Sequence, residues 1–144
     1  MLLVEDNQLN AEIAAELLKM SGLTVNCAWD GIEAVDCLAN CPDGYYDMVF
    51  MDIQMPRMNG YDATRAIRSS ARDYCKRVPI VAMTAHVLSG EREQCRRVGM
   101  DDYLSKPLAL EALRKSFAQP AMAPPHRPGL PPMPTPICMV PRLR

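Results

Sequence analysis

Three carboxylates follow short apolar runs of the sequence. Glu5 and Asp6 come directly after the run at residues 1–4, and Asp52 follows the run at residues 47–51. Short continuous apolar runs are typical of strands buried on both faces of a parallel sheet, whose carboxyl ends share one edge. Carboxylates about 4 Å apart repel one another by about 4 kcal/mol at an effective dielectric of ~20, so such a cluster needs a cation or a proton.

The same residues predict the kind of cation. An open pocket with oxygen ligands suits Mg²⁺, which keeps several waters and takes one or two carboxylates together with a phosphate oxygen. Mn²⁺ is the alternative ion. A single acidic residue at such a position is more often a solvated charge at the start of a loop. Three of them, accompanied by a hydroxyl and an ammonium, favour a metal site.

The hydroxyl and the ammonium belong to Thr84 and Lys106. Thr84 closes a third apolar run, and Lys106 follows a short, weak predicted strand at residues 102–105. With a cation, these two groups could neutralise and hydrogen-bond the oxygens of a phosphoryl group. A carboxylate can be the nucleophile in such a transfer and form an aspartyl-phosphate. Asp52 is the best candidate, because its strand is expected to lie between those of Asp6 and Thr84.

The rest of the sequence predicts the elements that position these groups. Predicted strands lie at residues 1–4, 24–28, 47–51, 79–83 and 102–105. Five segments with helical periodicity alternate with them. The first helix has one apolar face, which is made of Leu9, Ile13, Leu17 and Met20. Asp30 is expected to cap the second helix, and Gly22 and Gly99 to end the first and fourth. The alternation predicts an α/β protein, a doubly wound parallel sheet with helices on both faces.

Composition divides the chain into two parts. Of the 13 prolines in 144 residues, nine lie in the last 25, which also hold three arginines and no acidic residue. Proline at this density prevents helix formation and strand pairing. We therefore expect a folded acidic domain at residues 1–119 and a proline-rich, disordered tail or linker at residues 120–144. The abrupt start on the first strand indicates a domain excised from a longer protein.

Net charge, the length of the apolar runs and the cysteine pattern exclude several classes of protein. The formal net charge is −1, which gives no electrostatic basis for direct binding of nucleic acid. No apolar run approaches the ~18 residues of a membrane helix, and no secretory signal is present. The six cysteines and two histidines form no zinc pattern, so we expect reduced thiols and a cytoplasmic location, free or as the cytoplasmic part of a membrane-bound protein.

Four motifs, in order, resemble the receiver domain of two-component response regulators. They are Val4-Glu5-Asp6-Asn7, Met51-Asp52-Ile53-Gln54-Met55-Pro56-Arg57-Met58-Asn59-Gly60, Ala82-Met83-Thr84-Ala85 and Gly99-Met100-Asp101-Asp102-Tyr103-Leu104-Ser105-Lys106-Pro107. The resemblance extends over residues 1 to about 119. It implies a flavodoxin-like (βα)5 fold with strand order 2-1-3-4-5.

The resemblance also implies roles for the matching positions. Asp52 would accept a phosphoryl group from a histidine kinase or a histidine phosphotransfer domain. Thr84 and Lys106 would contact that group, with the Lys106–Pro107 peptide bond in cis. The implied Mg²⁺ ligands are Glu5, Asp6, Asp52 and the backbone carbonyl of Gln54. The domain would catalyse only its own phosphorylation and dephosphorylation.

Three further positions match residues that regulate such domains. Tyr103 is the implied switch aromatic, which turns inward as Thr84 moves toward the phosphate. Gln54 and His86 lie two residues beyond Asp52 and Thr84, and the resemblance implies that they tune the lifetime of the phosphate. The surface expected to change is built by the fourth predicted helix, the fifth strand and the fifth helix, and a phosphorylation-dependent dimer is left open.

The motif before Lys106 resembles receivers attached to hybrid histidine kinases, which suggests that the parent protein is such a kinase. A stand-alone response regulator is the alternative. An aspartate-nucleophile phosphatase would need a second Asp at the position of Gln54. A flavin-binding module of the same fold would need a Ser/Thr/Gly-rich phosphate loop in place of Glu5 and Asp6.

Overall fold

Five parallel strands form the centre of the protein in the computed structural model, which describes residues 1–85 and 88–117. In chain order the elements are β1 (Leu2–Val4), α1 (Gln8–Met20), β2 (Asn26–Ala28), α2 (Gly31–Asn40), β3 (Val49–Asp52), α3 (Gly60–Arg68), α4 (Asp73–Arg77), β4 (Ile80–Thr84), α5 (Ser89–Val98), β5 (Asp102–Ser105) and α6 (Leu110–Phe117). The predicted tail at residues 120–144 and the predicted lifetime residue His86 lie outside the described residues.

The strand order is β2-β1-β3-β4-β5, and every pairing is parallel, so the predicted fold is confirmed. All four residues of the central strand β3 are buried. Alternate strand residues belong to two core clusters: one includes residues of α2, α3 and α5, and the other includes residues of α1 and α6. Helices therefore cover both faces of the sheet, as expected for a doubly wound fold. No helix of the described segments is long and apolar enough to cross a membrane.

Helix boundaries follow the capping residues of the sequence. The Asp30 side chain accepts a hydrogen bond of 2.9 Å from the backbone N–H of Glu33, so Asp30 caps α2 as predicted. Gly22, just beyond α1, has a φ of 83°, and Gly99 at the end of α5 has a φ of 99°. Such left-handed residues are usually glycine, and they end both helices where the sequence predicted.

Three of the four residues of the apolar face predicted for α1 are exposed, whereas the fourth, Leu17, is half-buried and packs against the core. Leu9 is 64% exposed, Ile13 52% and Met20 74%. The buried face of this helix consists of smaller residues, together with Leu18: they are Ala11, Ala14, Ala15 and Leu18. Alanine allows close packing of a helix on a sheet, so periodicity predicted the helix correctly but not the face that it buries.

A short helix that the sequence pattern does not predict precedes β4. Helix α4 has only five residues, too few to show apolar periodicity, so residues 1–85 and 88–117 contain six helices where five were predicted. The fourth and fifth predicted helices are therefore α5 and α6. Arg72, at the start of α4, donates hydrogen bonds to the carbonyls of Leu38 (2.6 Å) and Cys41 (2.7 Å) at the end of α2. This side chain ties the added helix to its neighbour.

Candidate functional site

The three predicted carboxylates converge at the carboxyl edge of the sheet. Val4 pairs with Met51 across β1 and β3, so the next residues, Glu5 and Asp52, lie side by side. One carboxylate oxygen each of Glu5, Asp6 and Asp52 lies within 4.8 Å of the others. Glu5 is 3% exposed and Asp52 is 4% exposed, whereas Asp6 is open to solvent. An all-oxygen cluster that is closed on one side and open on the other fits the ligand preferences of Mg²⁺.

Lys106 lies between two of these carboxylates. Its Nζ is 2.6 Å from Oε2 of Glu5 and 3.0 Å from Oδ2 of Asp52. The backbone N–H of Lys106 donates to the carbonyl of Thr84 at 2.8 Å, which places this loop beside β4. The Lys106–Pro107 peptide bond is cis. Thus residues 101 positions apart in the sequence meet at one ion pair.

The protonation of this cluster reflects its burial. Burial raises the pKa of Asp52 to about 7; hydrogen bonding to Lys106 opposes this rise, and the neighbouring charge of Glu5 adds to it. Burial alone would lower the pKa of Lys106, but its hydrogen bonds to Glu5 and Asp52 outweigh that effect and raise it. Lys106 therefore stays charged while it compensates two buried carboxyl groups only in part, so a further cation fits here.

Thr84 and Tyr103 both contact α5. Thr84 is 6% exposed, and its hydroxyl donates a hydrogen bond of 3.0 Å to Oε2 of Glu91. The half-buried Tyr103 ring lies 4.5 Å from Cζ of Arg92 in a cation–π contact. Glu91 and Arg92 were not predicted as part of the site, since their sequence positions fall within an ordinary polar helix.

The loop between β3 and α3 is held from both ends. Gln54 is exposed on this loop. Gly60 at the start of α3 lies so close to Asp52 that a Cβ atom there would be 2.3 Å from the Asp52 carbonyl oxygen. Arg57, with a φ of 63°, pairs with the buried carboxylate of Asp30, and its Nε donates to Oδ2 at 2.7 Å. This contact was not predicted, because nothing in the local pattern links the two positions.

A cleft of about 360 Å³ opens next to Glu5 and Lys106. Its walls include Ile13 from α1, Met83 from β4 and Leu108 after the cis bond. The exposed apolar residues of α1 therefore continue into an apolar cleft that reaches the ion pair of the site.

Comparison with protein families supports the resemblance to receiver domains that the sequence motifs indicate. Residues 1–118 match the family model described as the response regulator receiver domain. Histidine kinase 3 of Arabidopsis thaliana is 38% identical over 136 residues, which include 82% of this chain but 13% of the kinase. Hybrid signal transduction histidine kinase B of Dictyostelium discoideum is 41% identical over 116 residues, which are 74% of this chain and 6% of that protein. The chain thus spans only a small fraction of these curated relatives.

Solved structures show the same fold. The receiver domain of a sensor histidine kinase from Pseudomonas aeruginosa PAO1, with a magnesium ion coordinated in its active site cleft, is 42% identical, with a TM-score of 0.70. That similarity covers 79% of this chain and 89% of that domain. The chemotaxis protein CheY4 of Vibrio cholerae is 27% identical with a TM-score of 0.72, covering 81% of this chain and 92% of CheY4.

Proposed function

The chain belongs to the response regulator receiver domain family, and from this premise we propose that Asp52 is the phosphoacceptor of a two-component phosphorelay. The phosphoryl group would come from the phosphohistidine of a histidine kinase or a histidine phosphotransfer domain. The observation that carries the proposal is the contact of the buried Asp52 carboxylate with Lys106, 3.0 Å away, inside a cluster of three carboxylates. This arrangement supports a site in which a nucleophile, a cation and metal ligands act together at one sheet edge.

The metal in this proposal is Mg²⁺, with Mn²⁺ as the alternative. Asp6 and Asp52 would bind it directly and Glu5 through water, and the backbone carbonyl of Gln54 would be a further ligand. The mutual approach of the three carboxylates supports this set. Bound there, the ion would neutralise charge on the oxygens of the transferred group.

Each protein group has a distinct part in the transfer. An Asp52 carboxylate oxygen forms a bond to phosphorus while the phosphorus–nitrogen bond of the donor breaks and its electron pair stays on the imidazole. The Lys106 ammonium then interacts with the added negative charge. The Thr84 hydroxyl donates a hydrogen bond to a phosphoryl oxygen. Thr84 lies at the same edge of the sheet as Asp52, since it follows Met83, the β4 partner of Asp52, and the Lys106 ammonium is 3.0 Å from the Asp52 carboxylate.

The phosphorylated site would act as a switch. Phosphorylation adds about −1.5 to −2 charges and three acceptor oxygens, to which Thr84 and Lys106 respond. Tyr103 would turn inward as Thr84 moves, and the surface of α5, β5 and α6 would change with it, in the monomer or in a phosphorylation-dependent dimer. Gln54 and His86 would tune the lifetime of the phosphate.

The donor protein would dock on α1. Leu9 and Ile13 are large, apolar and exposed, and Ile13 lines the cleft that leads to Lys106. An apolar surface beside the nucleophile is suited to hold a partner while its phosphohistidine reaches Asp52.

For the whole protein, we propose a hybrid sensor histidine kinase in which residues 1–119 are the cytoplasmic receiver and residues 120–144 are a tail or linker. The kinase relatives support this assignment. A stand-alone response regulator is the second candidate, supported by the likeness to CheY4. An aspartate-nucleophile phosphatase is disfavoured because Gln54 stands where its acid–base Asp would be, on an exposed loop position.

The direct test is phosphorylation by a small-molecule donor. The protein is incubated with Mg²⁺ and phosphoramidate, and its intact mass is measured by mass spectrometry. We expect one added phosphoryl group in the wild type and none in Asp52→Asn or without Mg²⁺. Absence of the adduct with phosphoramidate and with acetyl phosphate would contradict the proposed function.

A further inference from the structure

The first turn of α5 contacts both side chains that the proposed switch moves. Glu91 accepts the hydrogen bond of the Thr84 hydroxyl, and the next residue, Arg92, lies over the Tyr103 ring. We propose that Glu91 is a positioning residue that restrains Thr84 in the unphosphorylated protein, while Arg92 restrains Tyr103. This inference rests on the proposed function, in which the Thr84 hydroxyl must reach a phosphoryl oxygen.

The restraint follows from the chemistry of the hydroxyl. A threonine hydroxyl has a single proton, so a proton donated to the Glu91 carboxylate is not donated to a phosphoryl oxygen at the same time. Thr84 is 6% exposed and Glu91 is half-buried, so the contact is shielded from water on one side. Hydrogen bonds to charged groups are stronger than neutral ones. Phosphorylation therefore has to compete with Glu91 for Thr84.

The two contacts lie at a helix start whose N-cap residue provides no side-chain cap. Leu88 at the N-cap position of α5 makes no side-chain capping hydrogen bond, and Leu88 itself is 66% exposed. Gly90, the next residue but one, has open space where a Cβ would be, so packing does not demand glycine there. Because Glu91 and Arg92 are adjacent, loss of their contacts with Thr84 and Tyr103 would release one helical turn.

The test is a double-mutant cycle between Glu91 and Thr84. Initial rates of phosphorylation by phosphoramidate with Mg²⁺ are measured for the wild type, Glu91→Ala, Thr84→Val and the double variant. Removing the competing acceptor is expected to raise the rate about 3- to 10-fold in the wild-type background and to have no effect in the Thr84→Val background. Glu93→Ala is the matched control, since Glu93 is an exposed residue of the same helix that pairs with Arg97.

A second measurement needs no phosphoryl donor. The side-chain methyl resonance of Thr84 is assigned by NMR in the unphosphorylated wild type and in Glu91→Ala and Glu93→Ala. We expect its rotamer-sensitive couplings to change only in Glu91→Ala.

The possible outcomes separate the two proposals. If the wild type takes no phosphoryl group, the proposed function and this inference both fail. If the wild type is phosphorylated but Glu91→Ala reacts at the wild-type rate or more slowly, only the inference is overturned. An equal increase in the Thr84→Val background, or unchanged Thr84 couplings, would also overturn it.

Discussion

The Lys106 ammonium lies 3.0 Å from the Asp52 carboxylate and 2.6 Å from that of Glu5, so one cation is shared between two buried carboxyl groups. Lys106 is 23% exposed, whereas the side chains of Glu5 and Asp52 are 3% and 5% exposed. Removal of a partner from a buried ion pair is strongly destabilising, because the remaining charge keeps its desolvation cost. The ion pair is therefore a structural contact as well as part of the proposed site.

Lys106→Ala should destabilise the protein in a way that depends on Mg²⁺. Without the ion we expect the free energy of unfolding to fall by about 1–3 kcal/mol, since Glu5 and Asp52 lose their compensating charge. With saturating Mg²⁺ the loss should be smaller, because the ion supplies positive charge at the same cluster. Urea unfolding with and without Mg²⁺ measures both values.

Lys19→Ala is the control for this measurement, because Lys19 is half-exposed in a surface pair with Glu16. It should change stability by no more than about 0.5 kcal/mol. Equal losses for Lys106→Ala in the two conditions would mean that Lys106 contributes packing alone, and would contradict the charge argument.

Much of this arrangement could be predicted from local sequence. The apolar runs ending at Asp52 and Thr84 are strands buried on both faces, and their parallel pairing brings these residues to one edge. Asp30 and Gly99 marked helix ends through side-chain chemistry and backbone conformation that act locally. These features are predictable because each depends on few neighbouring residues.

The remaining features depend on tertiary contacts between distant residues. Helix α1 buries its alanine face and leaves Leu9 and Ile13 exposed, which depends on how the helix is rotated on the sheet. The contact of Glu91 with Thr84 depends on the rotation of α5. Helix α4 is too short to produce a periodic signal. Periodicity reports which residues share a face, and it does not report which face the fold buries.

Two substitutions of Arg57 should distinguish the contribution of its ion pair to stability from the contribution of its backbone conformation. Arg57→Ala loses the contact with Asp30 and keeps a side chain at a φ of 63°, whereas Arg57→Gly loses the contact but tolerates that φ. We expect both to lower the free energy of unfolding, and the glycine variant to be about 1 kcal/mol more stable than the alanine variant. Thermal and urea unfolding provide the comparison.

A binding measurement extends this prediction to the site. Because the loop that carries Arg57 also carries the proposed ligand Gln54, both variants should bind Mg²⁺ more weakly in a titration. Arg57→Lys keeps the charge and is expected to lose less affinity than either. The prediction is wrong if alanine and glycine are equally stable or if Mg²⁺ binding is unchanged in both.

Ile13→Glu should impair transfer from a protein donor and leave the chemistry intact. Ile13 is 52% exposed, so a change of polarity there should alter the free energy of unfolding by about 0.5 kcal/mol or less. If the α1 face docks the donor, transfer from a histidine phosphotransfer domain that phosphorylates the wild type should slow about 10-fold. Phosphorylation by phosphoramidate should stay at the wild-type rate.

Two other α1 variants complete that experiment. Glu16→Ala changes an exposed residue of the same helix and should not affect either reaction. Ala14→Glu places a charge on the buried face and should destabilise the fold itself. A parallel slowing of both reactions in Ile13→Glu would show that the substitution disturbs the site, and would argue against docking on α1.

Gly90→Ala should stabilise the first turn of α5 and slow phosphorylation. A Cβ at Gly90 meets nothing within 4 Å, so alanine gains helix propensity and restricts the unfolded chain, by about 0.4–1 kcal/mol together. If release of Thr84 and Tyr103 requires this turn to rearrange, a firmer turn should reduce the rate with phosphoramidate by about 2- to 5-fold. Stability is measured by urea unfolding and the rate by intact mass.

Gly22→Ala serves as the opposite case for the stability measurement. Gly22 has the same open space around it but a φ of 83°, so alanine there should destabilise the protein rather than stabilise it. If Gly90→Ala is more stable and yet is phosphorylated at the wild-type rate, the stability of this turn does not limit the rate of phosphorylation, and the prediction is wrong. The first turn of α5 would then follow phosphorylation rather than limit it.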